Sequence, residues 1–111
     1  MLKITRGDTS KFKFRRLDSD GEPIMVVAEQ IYFSVKRGYS STDTVIQKTI
    51  EDMTFDVDGY YHFTIDSTDT DGLSFGEYVF DIEVVIEQYK QTISKGPFIL
   101  DKEVTCVNNE V

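Results

Sequence analysis

Ser74-Phe75-Gly76-Glu77-Tyr78-Val79-Phe80 opens the longest alternating run in the chain, and its reading decides the fold. Over residues 76–87, Tyr78, Phe80, Ile82, Val84 and Ile86 share one face, while Asp81, Glu83 and Glu87 fall mostly on the other. Successive side chains of a strand point to opposite faces, so this run reads as a strand with one buried side, central in its sheet. Outward from it, the same period of two marks seven further strands, at 2–5, 10–16, 30–37, 44–50, 53–57, 60–65 and 91–103. At 10–16, Phe12 and Phe14 alternate with Lys11, Lys13 and Arg15, which makes one face apolar and the other cationic.

Turn chemistry separates the runs. Asp18-Ser19-Asp20-Gly21-Glu22-Pro23 is a turn cluster, because Gly tolerates positive φ and Pro presets its own. Short connections join 44–50, 53–57 and 60–65, which reads as a three-strand meander, with Asp58-Gly59 as a type I′ hairpin signal. Between 67 and 72, Ser67 suits a helix N-cap and Gly72 a left-handed C-terminal position, so one helical turn is expected to cross between sheets. Lys95-Gly96-Pro97 interrupts the last run, because Pro removes a ladder donor and favours an edge or a bulge.

The composition agrees with strands. Val, Ile and Thr together number 32 of 111 residues against 5 for Ala and Leu, and β-branched side chains favour a pleated backbone. Val, Ile, Leu and Phe number 33, enough for a core, and the length suits one domain: a sandwich over 1–103 with a flexible tail at 104–111. A net charge of −8 repels phosphate backbones and anionic bilayers, which argues against nucleic-acid and membrane partners. The charge is uneven: residues 1–16 carry Lys3, Arg6, Lys11, Lys13, Arg15 and Arg16 against Asp8 alone, leaving −13 for the remainder. One cysteine, Cys106, makes no internal disulfide, and Met1-Leu2-Lys3-Ile4-Thr5-Arg6 lacks the apolar run of a signal peptide.

Eight short strands in one domain point to a two-sheet sandwich, with a closed barrel as the alternative. Tyr78 tips the balance, because a Tyr near the start of a late strand, two residues before a buried position, matches the tyrosine corner of immunoglobulin-like domains. Its hydroxyl is then expected to bond a backbone group just upstream; an ordinary buried Tyr is the other reading. Phe80 stands where antibody domains place their second cysteine, so aromatic packing would replace the inter-sheet disulfide. The expected fold class is therefore an all-β, immunoglobulin-like antiparallel β-sandwich of seven to eight strands, with Gly72, Gly76, Tyr78 and Phe80 as structural residues.

Further stretches carry a family resemblance. They are Ile4-Thr5-Arg6-Gly7-Asp8-Thr9, Phe12-Lys13-Phe14, Asp20-Gly21-Glu22-Pro23, the strand ending in Lys36, Gln47-Lys48, Asp69-Thr70-Asp71-Gly72-Leu73, Gly76-Glu77-Tyr78-Val79-Phe80-Asp81, Gly96-Pro97-Phe98 and Glu103-Val104-Thr105. Together they resemble the small immunoglobulin-like domains of bacteriophage and prophage tail or baseplate proteins, nearest in type to the N-terminal domain of the baseplate upper-protein family. The resemblance implies a structural role, attachment to a virion assembled in the bacterial cytoplasm, with other tail or baseplate proteins and a possible homo-oligomer as partners. The family's long C-terminal receptor-binding part has no counterpart in this sequence, which makes a stand-alone accessory protein one expectation.

The chemical motifs are weak. Asp69-Thr70-Asp71-Gly72 invites a calcium loop, but with Gly72 at the sixth position the first is Ser67 and the twelfth is Tyr78. The same test fails at Gly21, giving Arg16 and Val27, and at Gly59, giving Thr54 and Ile65. No metal and no cofactor is expected. His62 is out of phase with Tyr61, Phe63 and Ile65 and faces away from the core; pairing it with Cys106 as base and nucleophile would also need an orienting acid and an oxyanion hole. Neither a Gly-x-Ser-x-Gly elbow nor a phosphate loop is present, so the reading is a non-catalytic protein. Arg6-Gly7-Asp8 reads as a turn or bulge at Gly7 in preference to a cell-attachment tripeptide.

Two groups remain as candidate interfaces. Lys11, Lys13 and Arg15 are read as pairing across strands with acids and guarding an edge against stray pairing, in preference to docking an acidic partner. Tyr32, Tyr39, Tyr60 and Tyr89 fall outside the core by phase or loop position and suit a contact surface. The same rings would serve an alternative function, a carbohydrate-binding or adhesin-like module, although the chain has no Trp.

Overall fold

Alternating apolar side chains produce eight strands among the described residues: β1 (Leu2–Thr5), β2 (Ser10–Phe14), β3 (Gln30–Lys36), β4 (Thr44–Thr49), β5 (Thr54–Phe55), β6 (Tyr61–Ile65), β7 (Gly76–Ile86) and β8 (Tyr89–Asp101). The structure, a computed structural model, describes residues 1–102; Glu103 and the expected tail at 104–111, with Cys106, lie outside the described residues. Five strands form one sheet in the order β1-β8-β7-β3-β4, and three form the other in the order β2-β6-β5. The protein is an immunoglobulin-like β-sandwich. In that fold's order β2, β6 and β5 stand as B, E and D, and β8, β7, β3 and β4 as G, F, C and C′. One pair departs from the antiparallel expectation: β1 runs parallel to the end of β8, with Leu2 beside Phe98 and Thr5 beside Asp101.

The two sheets meet through rings. Phe33 of β3 is fully buried and lies 4.7 Å, centroid to centroid, from Phe63 of β6 on the facing sheet. Phe80 of β7 continues the contact on one side at 6.0 Å from Phe33, and Phe12 of β2 on the other at 5.6 Å from Phe63. The strands that antibody domains link by a disulfide, B and F, are thus joined by four rings. Gly96 of β8 lies under Phe80: a Cβ there would sit 3.5 Å from the ring. The Tyr78 corner is present, with its hydroxyl donating to the Ser74 carbonyl oxygen at 2.8 Å while its ring stays buried.

Several local expectations change. The runs 44–50, 53–57 and 60–65 do not meander, because β4 pairs with β3 and, of the three, β5 and β6 alone pair with each other. A 3-10 turn, Ile50–Asp52, carries the chain across, held by the Thr49 N–H donating to the Asp52 carboxylate at 2.9 Å. The helical turn Ser67–Thr70 does cross between sheets, but its N-cap is Asp66, whose N–H donates to the Asp69 carboxylate at 2.7 Å. Gly72 follows it at φ +86° as expected. The last strand runs unbroken through Pro97, which lies just before β1 begins to pair; the bulge sits at Ile93, where Ile82 faces Ser94 but Glu83 faces Thr92.

The Asp58-Gly59 turn is not type I′, since positive φ occurs at Gly59 alone, and the Gly59 N–H closes onto the Asp56 carbonyl at 3.2 Å. The connection with positive φ at both central residues is Glu87-Gln88, at 51° and 72°, between β7 and β8. Left-handed backbone costs a side-chain-bearing residue roughly 1–2 kcal/mol.

Two substitutions test these local supports. Tyr78→Phe removes the corner hydrogen bond and is expected to lower unfolding free energy by about 1–2 kcal/mol, read as a lower urea midpoint at unchanged slope. Gln88→Gly relieves one left-handed residue and is expected to raise stability by about 1 kcal/mol in the same assay.

Candidate protein interface

β2 is an edge of its sheet, and its period of two sends Lys11 and Lys13 to the outer face, opposite Thr64 and His62 of β6. Arg15 continues the stripe just past the strand. Acids do not answer these cations: no carboxylate among the described residues lies within 4.0 Å of the Lys11, Lys13 or Arg15 nitrogens. The expected cross-strand pairing with acids is therefore overturned. Tyr60 takes that place, with Lys13 Nζ 4.4 Å and Arg15 Cζ 4.5 Å from its ring centre. Cation–π contact at such exposed sites contributes about 0.5–1 kcal/mol each and leaves the positive charges facing solvent.

The hairpin that presents Tyr60 is built on Asp56. One carboxylate oxygen accepts the N–H groups of Asp58 and Tyr60, both at 2.9 Å. The other lies 2.6 Å from His62 Nε2. The His62 hydrogen bond first, then the Tyr60 N–H, hold the Asp56 carboxyl below its ordinary value of 3.8. His62 thus faces outward, and its partner is a turn-forming carboxylate. Cys106, its other sequence candidate, lies outside the described residues.

The four outward tyrosines do not share one surface. Tyr60 is half-buried on the outer face of the three-stranded sheet, whereas Tyr32 lies on the outer face of the five-stranded sheet beside Glu83. Tyr39, 63% exposed, lies over that second face with its ring centre 6.0 Å from Lys95 Nζ. Tyr89, 78% exposed, sits at the β7–β8 turn. The remaining motifs make local contacts. Arg6 donates to the Leu73 carbonyl at 3.2 Å and stacks 4.5 Å from the centre of Phe75, and Gly7, at φ +89°, makes the expected turn. Asp69 pairs with Lys48 at 2.8 Å, and among the described residues no three His, Cys, Asp or Glu side chains converge on a metal-sized point.

Two features escape the sequence reading. Leu17, Met25, Val26, Val27 and Val57 are exposed large apolar side chains on the 17–29 loop and the 56–60 hairpin. These segments pack together, since a Cβ at Gly59 would lie 3.2 Å from the Met25 sulfur. A signal existed, because Met25-Val26-Val27 belongs to no alternating run. The second feature is a cleft of about 760 Å³ between the sheets, where β2 and the first half of β8 leave the sandwich open. Phe12 and Phe14 are only half-buried because they line it.

A scan against protein-family models and a search of curated proteins each found no match. Asp56→Asn keeps an acceptor for the turn but removes the charge, so the variant is expected to melt below the native protein at pH 7. A carboxyl with a lowered folded value contributes stability above its unfolded value and loses it as pH falls through the folded one. The gap in melting temperature should accordingly close below the ordinary carboxyl value of 3.8; a gap independent of pH would remove the carboxylate charge from the account.

Proposed function

We propose that this chain is a non-catalytic protein–protein interaction module, a structural component of a phage or prophage tail or baseplate that docks through the outer face of its three-stranded sheet. The observation that carries the binding role is the stripe Lys11, Lys13 and Arg15, of which Lys13 and Arg15 pack on Tyr60, all three without carboxylate partners among the described residues, on a chain of net charge −8. Uncompensated charge of one sign on an otherwise opposite surface steers association and sets orientation. An acidic patch on a neighbouring protein is the matching surface. The tail or baseplate setting rests on the resemblance of the turn and core motifs, and with it the virion as the place of action.

A sugar-binding role would be served by stacking rings on one platform, and the scatter of Tyr32, Tyr39, Tyr60 and Tyr89 over two faces and one end supports it less. The test mixes the purified chain with tail and baseplate proteins encoded beside it and tracks complex formation by light scattering. A complex is expected that Lys13→Glu with Arg15→Glu weakens at least about tenfold and that added salt weakens in parallel. Absence of any complex, together with saturable binding on a glycan array, would replace this reading with the carbohydrate one.

A further inference from the structure

The cleft and the cationic stripe share one strand, and together they define what completes the sandwich. β2 is paired with β6 on one side only, so the ladder groups on its outer edge have no strand neighbour among the described residues. On its inner face Phe12 and Phe14 look into the cleft, whose other walls include Phe33, Phe80, Ile82 and Ile93. Its outer face carries Lys11, Lys13 and Arg15 without carboxylate partners among the described residues. Arg16, on the cleft wall, also keeps a buried Nε–H with no acceptor among them.

We infer that the open edge of β2 accepts an extended segment of a partner protein in which apolar and acidic residues alternate. A strand added there would lie about 4.8 Å from β2 and keep its period of two. Every second side chain enters the cleft beside Phe12 and Phe14, filling apolar space that the sandwich leaves open. The intervening carboxylates lie beside Lys11, Lys13 and Arg15, at the short cross-strand spacing where opposite charges stabilise a pair. The cations therefore act as a filter, repelling basic or unpatterned strands and admitting an acidic one.

The facing edge is closed to such addition. On β8, Pro97 lacks the N–H that a ladder needs and the bulge at Ile93 breaks the register, whereas β2 contains neither Pro nor a register shift. The inference rests on the interaction-module reading and names the mode and the chemistry of the partner.

The test uses the full chain and a capped, fluorescein-labelled heptapeptide of alternating valine and glutamate. Saturable polarisation change is expected, with slowed amide hydrogen exchange along 10–14. A peptide with lysine in place of glutamate should bind at least about tenfold more weakly, and Lys11→Glu with Lys13→Glu should invert that preference. A peptide N-methylated at alternate residues keeps the side chains but cannot form the ladder. Equal binding of that peptide, or no binding of the parent, would overturn strand addition. Sedimentation velocity supplies the other arm: a dimer of the chain alone that the peptide dissociates would make a second copy the occupant and overturn a separate partner. Failure of the peptide alongside a tail-protein complex sensitive to Lys13→Glu and Arg15→Glu would sink this inference and leave the interaction-module reading standing. Peptide binding without any tail-protein complex would leave strand addition standing and remove the tail or baseplate setting.

Discussion

The contact between Phe33 and Phe63 is the constraint on which the sandwich depends. It is the closest ring contact between the two sheets, and Phe80 and Phe12 extend it to the strands on either side. An immunoglobulin-like domain without an inter-sheet disulfide has to fix the stacking of its layers by packing alone, and interlocked rings do so because their shapes allow few arrangements. The Tyr78 corner then fixes where β7 begins, and the position of β7 sets the register of β3 and β8 on its two sides.

The features legible in the sequence were governed by local rules. Alternation at 76–86 and 61–65 revealed which side chains are buried, because pleat and burial share a period of two. Tyr78 announced its corner through its spacing from Phe80. The features that stayed hidden depended on partners distant in sequence. Nothing local says that β4 leaves for the five-stranded sheet, since alternating strands suit either layer, and the crossing is made by the small Thr49–Asp52 contact. Asp58-Gly59 advertises a two-residue turn, but Asp56 recruits the neighbouring N–H groups into a longer one. Glu87-Gln88 makes the tight connection with no glycine to signal it.

The candidate interface divides along the same line. That Lys11, Lys13 and Arg15 share a face is a consequence of their spacing, but that Lys13 and Arg15 close on Tyr60 and not on acids depends on a hairpin far along the chain. The cleft was the least legible feature. Phe12 and Phe14 alternate like core residues, and only the three-dimensional arrangement reveals that no described strand flanks them on the open side.

The pairing of β1 with β8 gives the domain a mechanical character. Because the two strands run parallel at opposite ends of the described chain, tension applied at residues 1 and 102 pulls them along their axes in opposite directions. Their hydrogen bonds are then loaded together in shear and cannot open one at a time like a zipper. A domain clamped in this way carries traction from its first strand to its last while its layers stay in place.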